Sequence, residues 1–138
     1  MRFQKTSGLA FSNFLRAKYE AWSGALLVKS YPFYLGIDAS SICQLRCPHC
    51  PTGVENERRK AGSPVSFRNR TMLSADLFDA LLDELGEYLF LIMFYNWGEP
   101  LLNKELPVLI AKAKKLDICT EIHSNFSLRL SDRFIEEL

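Results

Sequence analysis

The sequence predicts an α/β protein built on a parallel sheet, and three features of its central part indicate this. Residues 88–95 form a continuous apolar run, as expected of a strand buried on both faces. An amphipathic helix precedes this strand, with Ser74 as its N-cap and Gly86 at its end. Residues 33–39 are rich in β-favouring side chains and predict an earlier strand. The order strand, helix, strand implies a right-handed parallel crossover.

Composition limits the classes of protein and partner. The chain has 138 residues, of which 48% are hydrophobic and 24% are charged, so it can form one domain core and is not predicted to be disordered. Its formal net charge of +1 gives no reason to expect nucleic acid or an anionic membrane as a partner. The longest apolar run, residues 88–95, is too short to cross a bilayer. The cysteine usage and the lack of a secretory segment predict a cytoplasmic protein.

Residues 1–30 predict a helical extension that precedes a main domain over residues 31–138. Its apolar side chains recur at helical spacing: Phe11, Phe14, Leu15, Ala21, Trp22, Ala25 and Leu26. The helix should end before Pro32, because a residue that precedes proline avoids the α conformation. An amphipathic membrane-surface helix is the alternative. The polar face is not markedly basic, which favours a helix that caps or flanks the domain.

The strand predicted over residues 33–39 leads into a loop that carries three cysteines. Cys43, Cys47 and Cys50 follow one another at spacings of four and three. The loop is too tight for them to pair comfortably as disulfides, and three soft thiolates at one point favour zinc or an iron-sulfur cluster. In parallel α/β barrels, functional residues lie at the C-terminal ends of strands, which is where this loop falls.

The number of cysteines indicates an open metal site. A structural zinc site and an electron-transfer 4Fe-4S cluster each use four protein ligands, whereas this loop offers three. The fourth cysteine, Cys119, lies in an apolar stretch and is interpreted as a small buried hydrophobic residue. A 4Fe-4S cluster here would leave one iron open to a substrate or cofactor. A zinc site with His49 as the fourth ligand is the alternative.

Residues 53–70 are polar, contain glycine and proline, and have a local basic excess. We expect a solvated surface loop, and a lid or a contact for an acidic substrate or redox partner is the alternative. The helix that follows should bury one face, made of Leu77, Phe78, Leu81, Leu82 and Leu85.

The second strand runs directly into a Gly-Glu-Pro turn. Gly98 would let backbone carbonyls approach a ligand, Glu99 would offer an anionic acceptor to an ammonium group, and Pro100 would fix the turn. A helix is predicted over residues 103–116, with Pro107 in its first turn. Its inward face should consist of Leu106, Leu109, Ile110, Ala113 and Leu116.

Residues 118–123 predict the third strand, which ends at Ser124, Asn125 and Phe126. His123 is interpreted as a structural partner of Glu121 rather than as a site residue. A last helix should begin near residue 130 with Ser131 as its cap.

The cysteine spacing after an apolar strand resembles the signature of radical S-adenosylmethionine (radical SAM) enzymes. The resemblance implies that Cys43, Cys47 and Cys50 hold a 4Fe-4S cluster, whose fourth iron is chelated by the amino and carboxylate groups of S-adenosylmethionine. The residue before the last cysteine is usually aromatic in this family and lies near the adenine. Here that residue is His49, which can stack and form hydrogen bonds.

Two further turns resemble motifs of the same family. The Gly-Glu-Pro turn is usually preceded by a second glycine, and Trp97 holds that position here. The family implies that this motif, here Gly98, Glu99 and Pro100, contacts the methionine amino group of the cofactor. The third strand often ends in Thr-Asn-Gly, where residues help to place the methionine. These correspond to Ser124 and Asn125, whereas Phe126 departs from the glycine.

The resemblance also implies an architecture and a reaction. The family core is a partial (β/α)6 TIM-like barrel, and about three strand-helix units are present, so residues 31–138 are expected to be its N-terminal half and to need the missing C-terminal half. The reduced cluster would cleave S-adenosylmethionine to a 5′-deoxyadenosyl radical, which abstracts hydrogen from a substrate. A flavodoxin or ferredoxin would supply electrons. The spacing around Cys50 and the Arg70-Thr71-Met72 segment resemble the SPASM branch, which modifies peptides, cofactor precursors or sugars.

Overall fold

The computed structural model describes residues 8–63 and 68–138. Within these ranges five α-helices and three β-strands follow one another in a mixed order. They are α1 (Gly8–Ser23), β1 (Tyr34–Ile37), α2 (Pro51–Lys60), α3 (Ala75–Leu85), β2 (Leu91–Phe94), α4 (Leu106–Lys115), β3 (Cys119–Ile122) and α5 (Asp132–Glu137), with a short 3-10 helix, Pro100–Leu102, before α4.

The strands form one parallel sheet in the order β1-β2-β3. Tyr34 pairs with Leu91, and Leu91 pairs with Cys119. The predicted α/β class and the parallel crossover are therefore confirmed. Each strand has four residues, shorter than predicted. Because all three strands point the same way, the loops that follow them meet at one edge of the sheet.

The core lies between the sheet and the helices α3 and α4. Ile92 and Phe94 of the central strand are fully buried against Phe78 of α3 and Leu109 of α4. This burial confirms that β2 is an interior strand. Ser74 caps α3 as predicted, since its hydroxyl accepts a hydrogen bond from the Leu77 N–H at 3.3 Å. Ser131 caps α5 in the same way.

The prediction of a surface loop over residues 53–70 is wrong for its first half. Pro51–Lys60 forms α2, and residues 64–67 lie outside the described part of the chain. Pro51 stands in the first turn, where its fixed φ suits a helix, and the last turn carries Arg58, Arg59 and Lys60, which complement the helix dipole. The residues of α2 are mostly polar, and a polar composition by itself does not distinguish a helix from a surface loop.

The first helix is also shorter than predicted, and two polar residues, Asn13 and Glu20, are among its buried ones. Helix α1 ends at Ser23, and Gly24 follows in a left-handed conformation with φ of 65°. The part of the prediction on residues 1–7 lies outside the described residues. Several of the apolar side chains that recur at helical spacing are exposed, namely Phe11, Leu15, Trp22 and Leu26. No helix within residues 8–63 and 68–138 is long and apolar enough to span a membrane.

Polar anchoring explains which face of α1 is buried. The Asn13 amide donates to the Tyr31 carbonyl at 3.0 Å and accepts from the Tyr31 N–H at 2.8 Å. The Phe14 ring packs edge-on against Phe33 and Phe90, which stand just before β1 and β2. Helix α1 therefore flanks the N-terminal edge of the sheet, opposite the edge that carries the cysteine loop.

Two other helices differ from the prediction in one outward-facing residue each. Leu77 of α3 and Leu116 after α4 are exposed. Helix α4 begins at Leu106 rather than at residue 103. The side chain of Asn103 is buried and forms hydrogen bonds with other segments of the chain. Its amide donates to the carbonyls of Ala39 and Leu73, both at 2.8 Å.

We expect the stability of the α1 attachment to fall in acid. The Glu20 carboxylate accepts hydrogen bonds from the Ser30 hydroxyl and from the backbone N–H groups of Lys29 and Ser30. The Ser30 hydroxyl is the main cause that lowers the pKa of Glu20, with desolvation opposing it. A carboxylate with a lowered pKa stabilises the fold at neutral pH and loses that contribution as the pH falls below its ordinary value of 4.5.

Urea unfolding of the wild type and of Glu20→Gln between about pH 7 and about pH 3 measures this contribution. The difference between the two proteins should be largest near neutrality and should shrink in acid. A difference that is independent of pH would contradict the assignment.

Candidate functional site

Three loops meet at the C-terminal edge of the sheet. They are the cysteine loop (residues 41–51) after β1, the Gly-Glu-Pro turn (residues 98–100) after β2 and the Ser-Asn-Phe turn (residues 124–126) after β3. The Glu99 N–H donates to the Ile42 carbonyl at 2.8 Å. The Asn125 amide nitrogen lies 3.8 Å from the Cys43 sulfur. The structure thus brings together the turns that the sequence motifs indicated.

The cysteine loop is held in place through its backbone. The Asn56 amide of α2 donates to the carbonyls of Cys43 and Leu45, both at 2.8 Å. A Cβ atom on Gly53 would lie 2.3 Å from the Cys47 carbonyl oxygen, so α2 packs directly against the loop. Recognising residues 51–60 as a helix would have revealed this support.

The three thiols influence one another. Cys43 and Cys50 are half-buried, Cys47 is exposed, and none of these three described residues is in a disulfide. Burial is the main cause that raises the pKa of Cys43, and the negative charges of Glu99, Cys50 and Cys47 raise it further, against a hydrogen bond from the Leu45 N–H. Thiolate ligands would therefore be stabilised here by a bound cation.

Within residues 8–63 and 68–138, no three His, Cys, Asp or Glu side chains converge closely enough to hold a metal ion. The donor set nevertheless suits an iron-sulfur cluster, because it consists of three thiols on one loop and soft thiolates select such clusters. His49, the predicted neighbour of the adenine, is exposed on the same loop.

The Gly-Glu-Pro turn packs tightly on the end of β1. The backbone N–H groups of Trp97 and Gly98 both donate to Asp38 Oδ1, at 3.1 and 3.0 Å. A Cβ atom on Gly98 would lie 1.5 Å from the Ser40 carbonyl oxygen. The close approach that Gly98 permits is therefore made to the protein backbone. Pro100 is buried and starts the 3-10 helix.

Glu99 is only 1% exposed and connects all three loops. Its Oε1 accepts from the Ser124 hydroxyl at 2.7 Å and from the Leu101 N–H at 3.0 Å, and its Oε2 accepts from the Asn125 N–H at 3.0 Å. A carboxylate has about four lone-pair positions, so capacity for a further donor remains.

The Ser-Asn-Phe turn keeps the conformation that glycine favours. Phe126 has a φ of 51°, in the left-handed region, and its N–H donates to the Ser124 hydroxyl at 2.9 Å. The Asn125 side-chain oxygen accepts from the Gln44 amide at 3.0 Å and so joins this turn to the cysteine loop. Phe126 therefore holds a left-handed φ, which residues other than glycine rarely adopt, at the position where the motif usually has glycine.

His123 has local partners at the same edge. Its Nε2 lies 2.6 Å from Glu121 Oε1, and its ring stacks on Tyr95 with centroids 4.7 Å apart. These contacts agree with the structural interpretation of His123. Cys119 is half-buried in β3 rather than fully buried. The contacts of Asp38 and Asn56 were not predicted. A polar residue at the end of an apolar strand is a usable signal for Asp38, whereas no such signal exists for Asn56 in α2.

We expect Glu99→Ala to lower the free energy of unfolding by about 3 kcal/mol, because it leaves the Ser124 hydroxyl and the Asn125 N–H unsatisfied at about 1–3 kcal/mol each. Urea unfolding measures the change. Glu84→Ala, at an exposed position on α3, is the control and should change stability by less than about 0.5 kcal/mol. Equal stabilities for the two variants would show that Glu99 does not tie the loops together.

Comparison with known proteins identifies the class. No family model matches the chain. It is 32% identical over 107 residues to the PqqA peptide cyclase of Granulibacter bethesdensis. The aligned region covers 78% of this chain and 26% of that protein. It is also 29% identical over 86 residues to the Fe-coproporphyrin III synthase of Methanosarcina barkeri. This second aligned region covers 62% of this chain and 19% of that protein.

A solved structure has a similar fold. The crystal structure of BtrN in complex with AdoMet and 2-DOIA matches 78% of this chain and 41% of BtrN, with a TM-score of 0.61 and 19% identity. The relatives and the fold agree with the cysteine motif, and together they support the assignment of the chain to the radical SAM superfamily. Its sheet corresponds to part of the TIM-like radical SAM barrel. The chain spans about a quarter of the length of the PqqA peptide cyclase that it matches.

Proposed function

We propose that this chain binds a 4Fe-4S cluster and S-adenosylmethionine and forms part of a radical SAM enzyme. The observation that carries the proposal is the meeting of three loops, in which Asn125 contacts the Cys43 sulfur and also donates its N–H to Glu99. These contacts bring Cys43 close to Asn125 and Glu99, which supports a cofactor site where the three loops meet.

Cys43, Cys47 and Cys50 would hold the cluster, and three ligands leave one iron open to the amino and carboxylate groups of the cofactor. When bound and reduced, the cluster would supply the one electron needed to split S-adenosylmethionine into methionine and a 5′-deoxyadenosyl radical, which would abstract hydrogen from a substrate. The protein provides ligation, orientation and exclusion of water. The remaining acceptor capacity of Glu99 suits the cofactor ammonium group.

The residues around the ligands would complete the cofactor site. Gly98 and Pro100 would hold the turn beside the methionine, and Ser124 and Asn125 would fix Glu99 in its orientation. His49, exposed on the cysteine loop, would stack on the adenine. Each of these roles is carried by a side chain or backbone group at the C-terminal edge of the sheet.

The partners follow from the same proposal. A small one-electron carrier of the flavodoxin or ferredoxin type would reduce the cluster in the cytoplasm. The named relatives act on a peptide and form a porphyrin, so a peptide or a cofactor precursor is the proposed class of substrate, with a sugar as the third option. A SPASM-type extension with further clusters belongs to the same proposal.

Anaerobic reconstitution with iron and sulfide tests the proposal. We expect about four iron and about four sulfide per chain, and a change in the cluster spectrum when S-adenosylmethionine is added. Metal analysis of the purified protein is the complementary measurement. One zinc per chain, with no uptake of iron and sulfide, would contradict the proposal and support a zinc-binding interaction module.

A further inference from the structure

One ion pair lies where the cysteine loop and the Gly-Glu-Pro turn meet, and no sequence motif includes it. Arg68 Nη1 donates to Asp38 Oδ2 at 2.6 Å, and the two side chains are 22% and 19% exposed. The other carboxylate oxygen, Asp38 Oδ1, accepts from the backbone N–H groups of Trp97 and Gly98. A single carboxylate therefore joins the arginine to the turn that precedes Glu99.

Arg68 extends this connection to the cysteine loop and to α2. Its Nη2 donates to the Ser41 carbonyl at 3.1 Å, and Ser41 stands two residues before Cys43. The same nitrogen donates to the Thr52 hydroxyl at 2.9 Å, and Thr52 is the second residue after Cys50. The arginine thus contacts the chain on both sides of the three cysteines.

Trp97 is part of the same cluster. The Arg68 guanidinium carbon lies 5.8 Å from the centroid of the Trp97 ring, which is a cation-π distance. Trp97 occupies the position at which the family usually has its first glycine, so the departure from the motif comes with an arginine packed on the tryptophan. The planar guanidinium can stack and donate several hydrogen bonds at once, which a lysine could not do.

We propose that Asp38 and Arg68 are positioning residues that fix the Gly-Glu-Pro turn relative to the three cysteines and thereby set the affinity for S-adenosylmethionine. This inference rests on the proposed function. The cofactor must contact the cluster and the turn at the same time, so an error in their separation weakens its binding even when each part is intact. Neither residue touches the cofactor in this account, and both act through Gly98 and the cysteine loop.

The test compares Asp38→Ala, Asp38→Asn, Arg68→Ala and Arg68→Lys with the wild type. Lys112→Ala is the matched control, because it removes another partly exposed ion pair, with Asp79, that links α4 to α3 away from the site. Two quantities are measured on the anaerobically loaded protein: iron per chain, and the dissociation constant for S-adenosylmethionine from the change in the cluster spectrum. Hydrogen exchange of the Trp97 and Gly98 amides is measured on the metal-free protein.

We expect Asp38→Ala and Arg68→Ala to keep the iron content of the wild type and to bind S-adenosylmethionine at least about tenfold more weakly. Asp38→Asn keeps an acceptor for the two amides and should lose less affinity, and Arg68→Lys should restore only part of it. In Asp38→Ala, the Trp97 and Gly98 amides should exchange at least about tenfold faster. Lys112→Ala should match the wild type in all three measurements.

Wild-type affinity in Asp38→Ala and Arg68→Ala would overturn the inference. So would a parallel loss of iron and of affinity in all four variants, including the conservative Asp38→Asn and Arg68→Lys, because that pattern indicates a general role in folding. Failure of the proposed function has a different signature, since the wild-type protein itself would then take up no cluster or show no response to S-adenosylmethionine.

Discussion

Gly98→Ala should disrupt the proposed cofactor site more than a methyl group added at any of the other six glycines. The new Cβ atom would lie 1.5 Å from the Ser40 carbonyl oxygen and 2.7 Å from its carbonyl carbon, so the backbone of one loop must move. The movement would break the hydrogen bonds of Trp97 and Gly98 to Asp38. We expect the free energy of unfolding to fall by about 3 kcal/mol, and binding of S-adenosylmethionine to become undetectable.

Gly36→Ala is the matched control for this prediction. Gly36 lies in β1 beside the same edge of the sheet, and a Cβ atom there would meet only the Tyr95 ring at 3.7 Å, which is an ordinary contact. Because glycine weakens a strand interior by about 0.5–1 kcal/mol, this variant should be as stable as the wild type or slightly more stable. Urea unfolding and S-adenosylmethionine titration compare the two variants. Equal stability and equal affinity for S-adenosylmethionine in the two variants would mean that the Gly98 backbone does not pack tightly against Ser40.

The second large effect is expected from the cysteine loop. Cys43→Ala, Cys47→Ala and Cys50→Ala should each reduce the iron content from about four per chain to below about one, because two thiolates hold a cluster far less firmly than three. Iron and acid-labile sulfide after anaerobic reconstitution measure the loss. The fold should survive in the metal-free protein, since Cys47 is exposed and Cys43 and Cys50 are only half-buried.

Cys119→Ala is the control for the cysteine variants. This thiol belongs to β3, in register with Leu91, and is not on the loop. The variant should keep the full iron content. Loss of iron in Cys119→Ala to the same extent would show a fourth protein ligand and would contradict an open iron.

Much of the fold could be predicted because the buried elements carry strong local signals. The apolar run of residues 88–95 has no polar side that could face water, and β2 is indeed the central strand of the sheet. Ser74 caps its helix as its side chain predicts. The motifs in the first two loops were also visible, because glycine, proline and cysteine have special backbone and ligand properties. The third turn was recognised only by its resemblance to Thr-Asn-Gly.

The remaining features depend on partners that are distant in sequence. Helix α2 is polar, and its burial of Thr52, Gly53 and Glu55 follows from packing against the cysteine loop. The buried face of α1 could not be predicted because Asn13 and Glu20 are buried through hydrogen bonds to residues 29–31, which a hydrophobic pattern does not reveal.

The connection between the loops was hidden for the same reason. Asp38 and Arg68 are 30 residues apart in sequence, and nothing in either segment alone indicates that they pair. Glu99 was expected to face a ligand, and its bonds to Ser124 and Asn125 required the third strand to be placed beside the second.

The most direct test of the central claim is Mössbauer spectroscopy of the protein reconstituted with iron-57, before and after addition of S-adenosylmethionine. An incompletely ligated cluster predicts that one iron site in four changes its isomer shift when S-adenosylmethionine binds, while the other three keep theirs. A cluster in which all four iron sites keep their isomer shifts after addition of S-adenosylmethionine would contradict the claim that three cysteines leave one iron open. So would a protein that takes up no cluster at all.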